Sequence, residues 1–452
     1  MICRRQPSSH PADSRQPAQT TTAPTAAPNR PSGYGLPFWM AYVANLSVMV
    51  AIALLYRYAD FVTLLGGTEF HLGWIVGVGA VGSLIMRVFL GTGIDRYGPR
   101  RIWLCSLVVF AVVCFAHTGI SRYDGPAIYL LRIVFCLAIA GVFGSSMTFI
   151  SGRVPPVRVA ELVGMLGTSG FLGMVLGTQL GDLLCGTHDL ERWQVDRMFL
   201  AAGLLGTCAA VFAALATRGL APPRPRRRRP PMRWLLRRYQ PGTVLLVGIA
   251  TGAALGLPAT FLRTYAAELG IARIGLFFAV YAATAITTRV LTRRLPQRLG
   301  LPPIILLGIA TVAAGQLLFL PVRSELMFAV PAVVLGMAHA VLFPAVVGAS
   351  TGTFPVRYRG LSMMVVLAMY DLGQLIGAPS AGAILHYSGS AGLPSYPTLF
   401  VATSAMLALV GVVYAATGRG KEPPRSPTAG PRRDRYVRAD DEAAAAEVTT
   451  SA

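Results

Sequence analysis

Charge is scarce in this chain. Of its 452 residues only 13% are Asp, Glu, Lys or Arg, against roughly 25% in an ordinary soluble domain. That leaves too little polar surface to cover a soluble body of this size. Lysine is almost missing: Lys421 stands alone, so the net charge of +21 is carried by arginine, which reads as a compositional bias more than as chemistry. No Walker-type phosphate loop occurs, which argues against direct ATP hydrolysis. The six histidines (His10, His71, His117, His188, His339 and His386) form no cluster, which argues against an intramembrane enzyme built on convergent catalytic groups. Six cysteines, Cys3, Cys105, Cys114, Cys136, Cys185 and Cys208, contain no C-x-x-C pair and no histidine at metal spacing. Neither a disulfide framework nor a metal site is expected, and the cysteines read as small buried residues in apolar runs. No cofactor is expected.

What is abundant is apolar: 54% of residues are hydrophobic and the mean hydropathy is +0.57. Twelve apolar stretches each come near the roughly 20 residues a helix needs to cross the hydrocarbon. They run 36–56, 72–90, 102–120, 127–150, 162–185, 198–217, 243–262, 274–291, 303–322, 326–351, 361–386 and 399–417. Helices satisfy their own backbone hydrogen bonds, which lipid cannot do. Sorted by the loops between these spans, 30 of the 40 basic residues fall on the side that holds both termini and 7 on the other, with Arg87, Arg132 and Arg289 inside spans. The positive-inside rule puts both termini in the cytoplasm of a plasma (inner) membrane protein. It also accounts for the net charge without nucleic acid. Trp39, Trp74, Trp103, Trp193 and Trp234 lie near span ends, as an interfacial belt requires.

The predicted organisation is a disordered, Pro/Thr/Ser-rich N-tail over 1–33 and a six-helix unit over 34–217. A basic linker over 218–240 follows, then a second six-helix unit over 241–417 and a disordered C-tail over 418–452. The first apolar run starts only at Leu36 and is too long for a signal-peptide core. The linker carries PRPRRRRPP and then a short basic segment suited to anionic headgroups, although setting orientation explains it sufficiently. The units repeat. Arg87, Val88, Arg96 and Gly98 recur 202 residues later as Arg289, Val290, Arg298 and Gly300, while Pro155, Gly173 and Gly177 recur 200 residues later as Pro355, Gly373 and Gly377. Repeated halves with a site between them are a transporter architecture.

Between spans two and three stands GTGIDRYGPRR, at Gly91 to Arg101. This run resembles the signature of the major facilitator superfamily, written G-x-x-x-D-R-x-G-R-R. Gly91, Asp95, Arg96 and Gly98 match, and Pro99 moves the basic pair to Arg100 and Arg101. The second-half copy keeps Arg298 and Gly300, with Arg289 upstream and Gln297 where the acid would stand. The resemblance covers about residues 36–417. It implies an all-α integral membrane fold of twelve helices in two pseudo-symmetric six-helix bundles. It also implies that the loop is a gate latch, with Asp95 facing the start of span eleven near Gly360 and Leu361, where a helix dipole favours a carboxylate. The bland alternative is a tight turn with orientation charges. In span four, Cys136 stands where the family often has a glycine four residues after the arginine at Arg132. Span five, GTSGFLGMVLGTQLGD, resembles the glycine-rich motif of proton antiporters but departs from it at Gly177-Thr178 and Gly181-Asp182. Close packing on the face of Gly173, Gly177 and Gly181 explains those glycines equally well.

Charges inside the bilayer cost several kcal/mol, so each needs a reason. Asp371 lies near the middle of span eleven and is either the proton-coupling or substrate-contact acid or a structural carboxylate held by a neighbouring arginine or helix terminus. Arg132 is the leading candidate for facing the cavity and attracting an anion. Arg57 and Arg263 are expected to snorkel to the headgroups. Asp182 is expected to partner Arg132 or to be interfacial. Arg87 and Arg289 are assigned to gate or interface structure. Asn45, Gln179, Tyr281, His339 and Gln374 are candidate cavity-lining groups, each singly better read as a bridge between helices. Pro258 and Pro344 are expected to bend helices. The reading is a secondary transporter moving a small-molecule substrate by alternating access, coupled to protons and leaning towards efflux. The alternatives are proton-linked uptake of an organic anion or sugar, and a non-transporting membrane sensor on the same fold.

Overall fold

The computed structural model describes residues 34–151, 156–185, 190–219, 239, 241–292, 295–354 and 359–418. The expected N-tail, most of the basic linker with Trp234, and nearly all of the expected C-tail lie outside the described residues. What is described is helical throughout. In the first half these are α1 (Leu36–Leu54), α2 (Tyr58–Leu64), α3 (Glu69–His117), α4 (Pro126–Ser151), α5 (Pro156–Cys185) and α6 (Arg192–Ala216). In the second half they are α7 (Val244–Glu268), α8 (Gly275–Leu291), α9 (Leu295–Leu299), α10 (Leu301–Leu317), α11 (Ala329–Thr353), α12 (Arg359–Ser390) and α13 (Ser395–Gly418). Among the described residues nine helical stretches are long and apolar enough to cross a membrane. Two more apolar helices, Gly275–Leu291 and Leu301–Leu317, are shorter at 17 residues each. That length rises about 26 Å, a little under the roughly 30 Å of hydrocarbon.

Two features correct the expected boundaries. The first span does not stop at Tyr56: a 3-10 turn at Leu55–Arg57 leads directly into α2, and the stretch continues to Leu64. The seventh continues past Leu262 to Glu268. Both extensions draw an arginine, Arg57 and Arg263, into the helical body. Spans two and three, by contrast, run on as one element because the turn between them is very tight. Gly98, inside α3, has φ 80° and ψ 155°. An L side chain rarely adopts that conformation, and Pro99 follows it at the natural first position of a new helix. Gly300 repeats the device with φ 77° and ψ 170° before α10, where prolines again open the helix.

The internal repeat is visible in packing too. Gly177 of α5 lies so close to the Val50 carbonyl of α1 that no Cβ fits, and Gly373 of α12 meets the Ile249 carbonyl of α7 in the same way. Small residues let backbones approach where lipid supplies no hydrophobic drive between helices. Within the first half α3 packs on α4, and α1 on α5 and α6; within the second half α7 packs on α12, and α11 on α8 and α10. Between halves the main contacts are α3 with α12 and α5 with α8. The end at which the described chain begins and finishes is called proximal here, and the other end distal.

Three tryptophans agree with an interfacial belt: Trp39, Trp74 and Trp193 are exposed. Trp103 does not. It is fully buried against Phe149, because the tight turn at Gly98 starts its helix already inside the packed bundle. Among the described cysteines Cys114 and Cys185 are buried, whereas Cys105 and Cys208 lie on the outside of the helices.

Candidate functional site

A cavity of about 370 Å³ lies between the two halves of the chain. The first half lines it from α1, α2, α3 and α4, with Leu55, Tyr58, Val76, Arg87, Arg132 and Phe135 among its residues. The second half lines it from α7, α11 and α12, with Leu255, His339, Phe343, Tyr370, Asp371 and Gln374. The walls are mainly aliphatic and aromatic, with a few convergent polar groups, as small-molecule sites usually are.

Three charges face this space. Arg87 of α3 donates from Nε to Asp371 Oδ2 of α12, an ion pair that crosses from one half to the other. Arg132 of α4 has no carboxylate partner among the described residues. Its guanidinium carbon sits 4.6 Å over the Tyr58 ring and 5.0 Å over Phe135, and its Nε is buried without a hydrogen bond. Cation–π contact offsets part of the cost of desolvating that charge. On the second-half wall His339 pairs through Nδ1 with the hydroxyl of Tyr281, which lies behind it outside the lining. Arg289 lies next to that wall, 5.3 Å over the Phe171 ring of the first half, with its Nε also lacking a partner.

A second charge cluster lies towards the distal end. Arg57 donates from Nε to Asp60 Oδ2 at 2.7 Å, from Nη1 to Asp182 Oδ1 at 2.9 Å, and from Nη2 to the Cys185 carbonyl at 2.6 Å. Arg57 also reaches the Ala272 carbonyl of the second half at 3.3 Å. Arg263 Nε stands 2.8 Å from Asp60 Oδ1, an ion pair by distance without hydrogen-bond geometry, and Arg263 Nη1 is buried without a partner. Asp182 accepts the backbone N–H groups of Ile274 at 3.1 Å and Gly275 at 2.6 Å. Those are orphan donors at the start of α8, where a carboxylate is favoured. Gly275 is required for this approach, since an added Cβ would lie 2.7 Å from Asp182 Oδ2. The cluster holds two arginines and two aspartates, is buried, and ties α2 and α5 to α7 and α8.

The cavity therefore gathers Arg132, Asp371, His339 and Gln374 from among the expected site residues, and not the others. Asn45 instead donates to Ser169 Oγ at 2.7 Å, bridging α1 and α5. Gln179 sits against Gly275 at the contact of α5 with α8. Asp182 is neither a partner of Arg132 nor interfacial: it belongs to the distal cluster. Arg57 and Arg263 do not snorkel; they are 1% and 8% exposed, because their helices continue beyond them and put acidic partners within reach. Two residues escape sequence reasoning. Asp60 is one, although the apolar run continuing to Leu64 after Arg57 is the signal that both lie inside. Arg87 reads from the sequence as gate or interface structure, and its pairing with Asp371 is not visible there, since nothing in a linear sequence links positions 284 residues apart.

At the proximal end Gly98 and Gly300 hold matching turns. Arg96 and Arg101 are exposed and Arg100 is half-buried, while Arg298 is exposed beside Gly300. The surroundings of positions 91 and 95, and of 360 and 361, lie outside the described residues, and with them the expected latch contact of Asp95.

The sequence profile of the Major Facilitator Superfamily matches residues 38–272 and again 244–449. An uncharacterised MFS-type transporter of Methanocaldococcus jannaschii is 20% identical over 76% of this chain and 89% of its own length. The staphylopine export protein of Staphylococcus aureus is 20% identical over 77% and 89%. Among solved structures, the nucleoside transporter NupG superposes with a TM-score of 0.70 at 12% identity, covering 86% of this chain and 100% of that one. The D-xylose–proton symporter does so with a TM-score of 0.69 at 15% identity, covering 86% and 97%. At such identities the superpositions speak to fold alone, and the fold agrees with the family match. The chain belongs to the major facilitator superfamily, and it is a membrane transporter, not an enzyme.

Proposed function

We propose that this protein moves a small solute across the membrane by alternating access, coupled to protons, with a lean towards efflux. The proposal takes the chain as twelve spans in two pseudo-symmetric six-helix bundles in the plasma (inner) membrane, both termini cytoplasmic. The distribution of basic residues supports that orientation, and the duplicated turns and glycine contacts support the pseudo-symmetry.

The observation that carries the coupling is the Arg87–Asp371 pair, formed between the halves inside the cavity. An ion pair across a moving interface has two states. While the halves meet, Asp371 is charged and neutralised by Arg87. When they part, a lone carboxylate in a partly desolvated cavity is costly, and binding a proton removes the cost. The proton and the pair thus compete for one group, and rocking of the halves is tied to proton exchange. The distal cluster supports a closed gate on that side in the present conformation, since Arg57, Asp60, Asp182 and Arg263 hold the halves together there. Asp95 and its arginine-rich turn are taken as the counterpart latch at the proximal end. The exporter among the relatives supports the lean towards efflux. Uptake of an organic anion or sugar is the second reading.

The test is a solute screen in proteoliposomes with an imposed pH gradient. Flux of at least one solute should rise with the gradient and collapse with a protonophore. Flux that ignores the gradient removes proton coupling, and ligand binding without any flux favours a sensor.

A further inference from the structure

The charge on the cavity wall does not balance. Arg87 and Asp371 cancel each other, which leaves Arg132 as one uncompensated guanidinium facing the space between the halves. An isolated buried charge is normally paired, neutralised or serving a ligand, and an arginine does not neutralise itself by losing its proton. The rings of Tyr58 and Phe135 lie beside the guanidinium carbon at 4.6 and 5.0 Å. A guanidinium carries its N–H donors in its own plane, as a fork that suits an oxyanion. Two polar atoms at this spot are buried without partners, Arg132 Nε and the Tyr58 hydroxyl. Both can donate to an oxygen. Much of the remaining lining, with Leu55, Ile139, Phe143 and Leu255, is apolar.

We propose that the cavity selects a small organic monoanion, its carboxylate held by Arg132 and Tyr58 and its apolar or aromatic body lying along the apolar lining that includes Leu55 and Leu255. A planar carboxylate matches the fork of a guanidinium better than other anions do. One negative charge balances the three charges that line the cavity, Arg87, Asp371 and Arg132. The volume of about 370 Å³ lies in the range of roughly 300–1,000 Å³ found for small-molecule sites. This arrangement gives the two arginines separate tasks: Arg87 with Asp371 responds to the proton, and Arg132 recognises the solute. The inference rests on the transporter reading for its purpose but not for its test.

The test is binding to the purified full-length protein in detergent, by calorimetry or by the shift in melting temperature. The probes are matched sets of acid, amide and amine, such as 2-naphthoate, 2-naphthamide and 2-naphthylmethylamine, with aliphatic and benzoic sets beside them. In at least one set the acid should bind about tenfold or more tighter than its amide, with the amine weakest. Arg132→Gln should bring the acid down to the level of the amide, and Tyr58→Phe should weaken the acid alone. Equal binding of acid and amide in every set overturns the proposal, as does a failure of every acid to bind. So does an Arg132→Gln protein that still prefers the acid. If that variant does not fold, the wild-type comparison together with Tyr58→Phe decides. Gradient-driven flux of neutral or cationic solutes only would sink this inference and leave the transporter reading intact. Acid-selective binding without flux would do the reverse.

Discussion

The distal cluster and the central cavity are both buried groups of charge between the same two halves, and they are built on opposite plans. At the distal end two arginines meet two aspartates, Arg57 is fully engaged, and a helix start donates to Asp182. In the cavity two arginines meet one aspartate, and among the described residues Arg132 has aromatic rings for neighbours and no counter-charge. A balanced, buried network is what holding a closed interface requires. A surplus charge on a wall with room beside it costs stability unless something else is bound. The first arrangement reads as structure, the second as a place kept for a solute. Arginine in a membrane helix is thus not one signal but two, and partner count separates them.

That comparison can be broken by mutation. Arg57→Gln leaves Asp60 and Asp182 buried without their main partner. Stability should fall by about 3–5 kcal/mol, measured as a large drop in the melting temperature of the purified protein. Asp182→Asn keeps an oxygen for the α8 amides but removes the charge, so a smaller loss of about 1–3 kcal/mol is expected, with easier thiol labelling of distal-end cysteines as the gate loosens. Arg132→Gln should do the opposite of Arg57→Gln. Its melting temperature without ligand should hold or rise, while gradient-driven flux of its solute falls. A drop as large as that of Arg57→Gln would mean that Arg132 is structural. The smallest effect belongs to Arg122. Its hydrogen bonds hold the Asp124 carboxyl below the usual carboxylate range, but both groups lie in the exposed turn between α3 and α4. Exposed pairs contribute little, so Arg122→Ala should leave melting temperature and flux within about twofold of wild type.

Much of this molecule is legible in the sequence because the bilayer enforces simple rules. Apolar length marks helices, and the recurrence of Gly98 as Gly300 in the sequence is matched by two turns with a positive φ. Arg132, Asp371, His339 and Gln374 line the cavity, since polar groups deep in apolar helices have few other places to go. The errors share one cause. A charged residue near an apolar run looks like the end of the span, so the sequence alone places Arg57 and Arg263 at the headgroups, where the structure buries them. Hydropathy reports how apolar a stretch is, not whether a polar side chain within it finds a partner from another helix. The Arg87–Asp371 pair was illegible for the same reason. Each residue was noticed alone, but their meeting depends on how α3 and α12 pack.

The central claim is that proton exchange and the movement of the halves meet at Asp371. The most direct measurement compares wild type with Asp371→Asn in proteoliposomes, once with a pH gradient and once in gradient-free exchange of preloaded solute. The account predicts that the variant loses gradient-driven accumulation yet still exchanges solute. Accumulation by Asp371→Asn at the wild-type rate under the same gradient would contradict it.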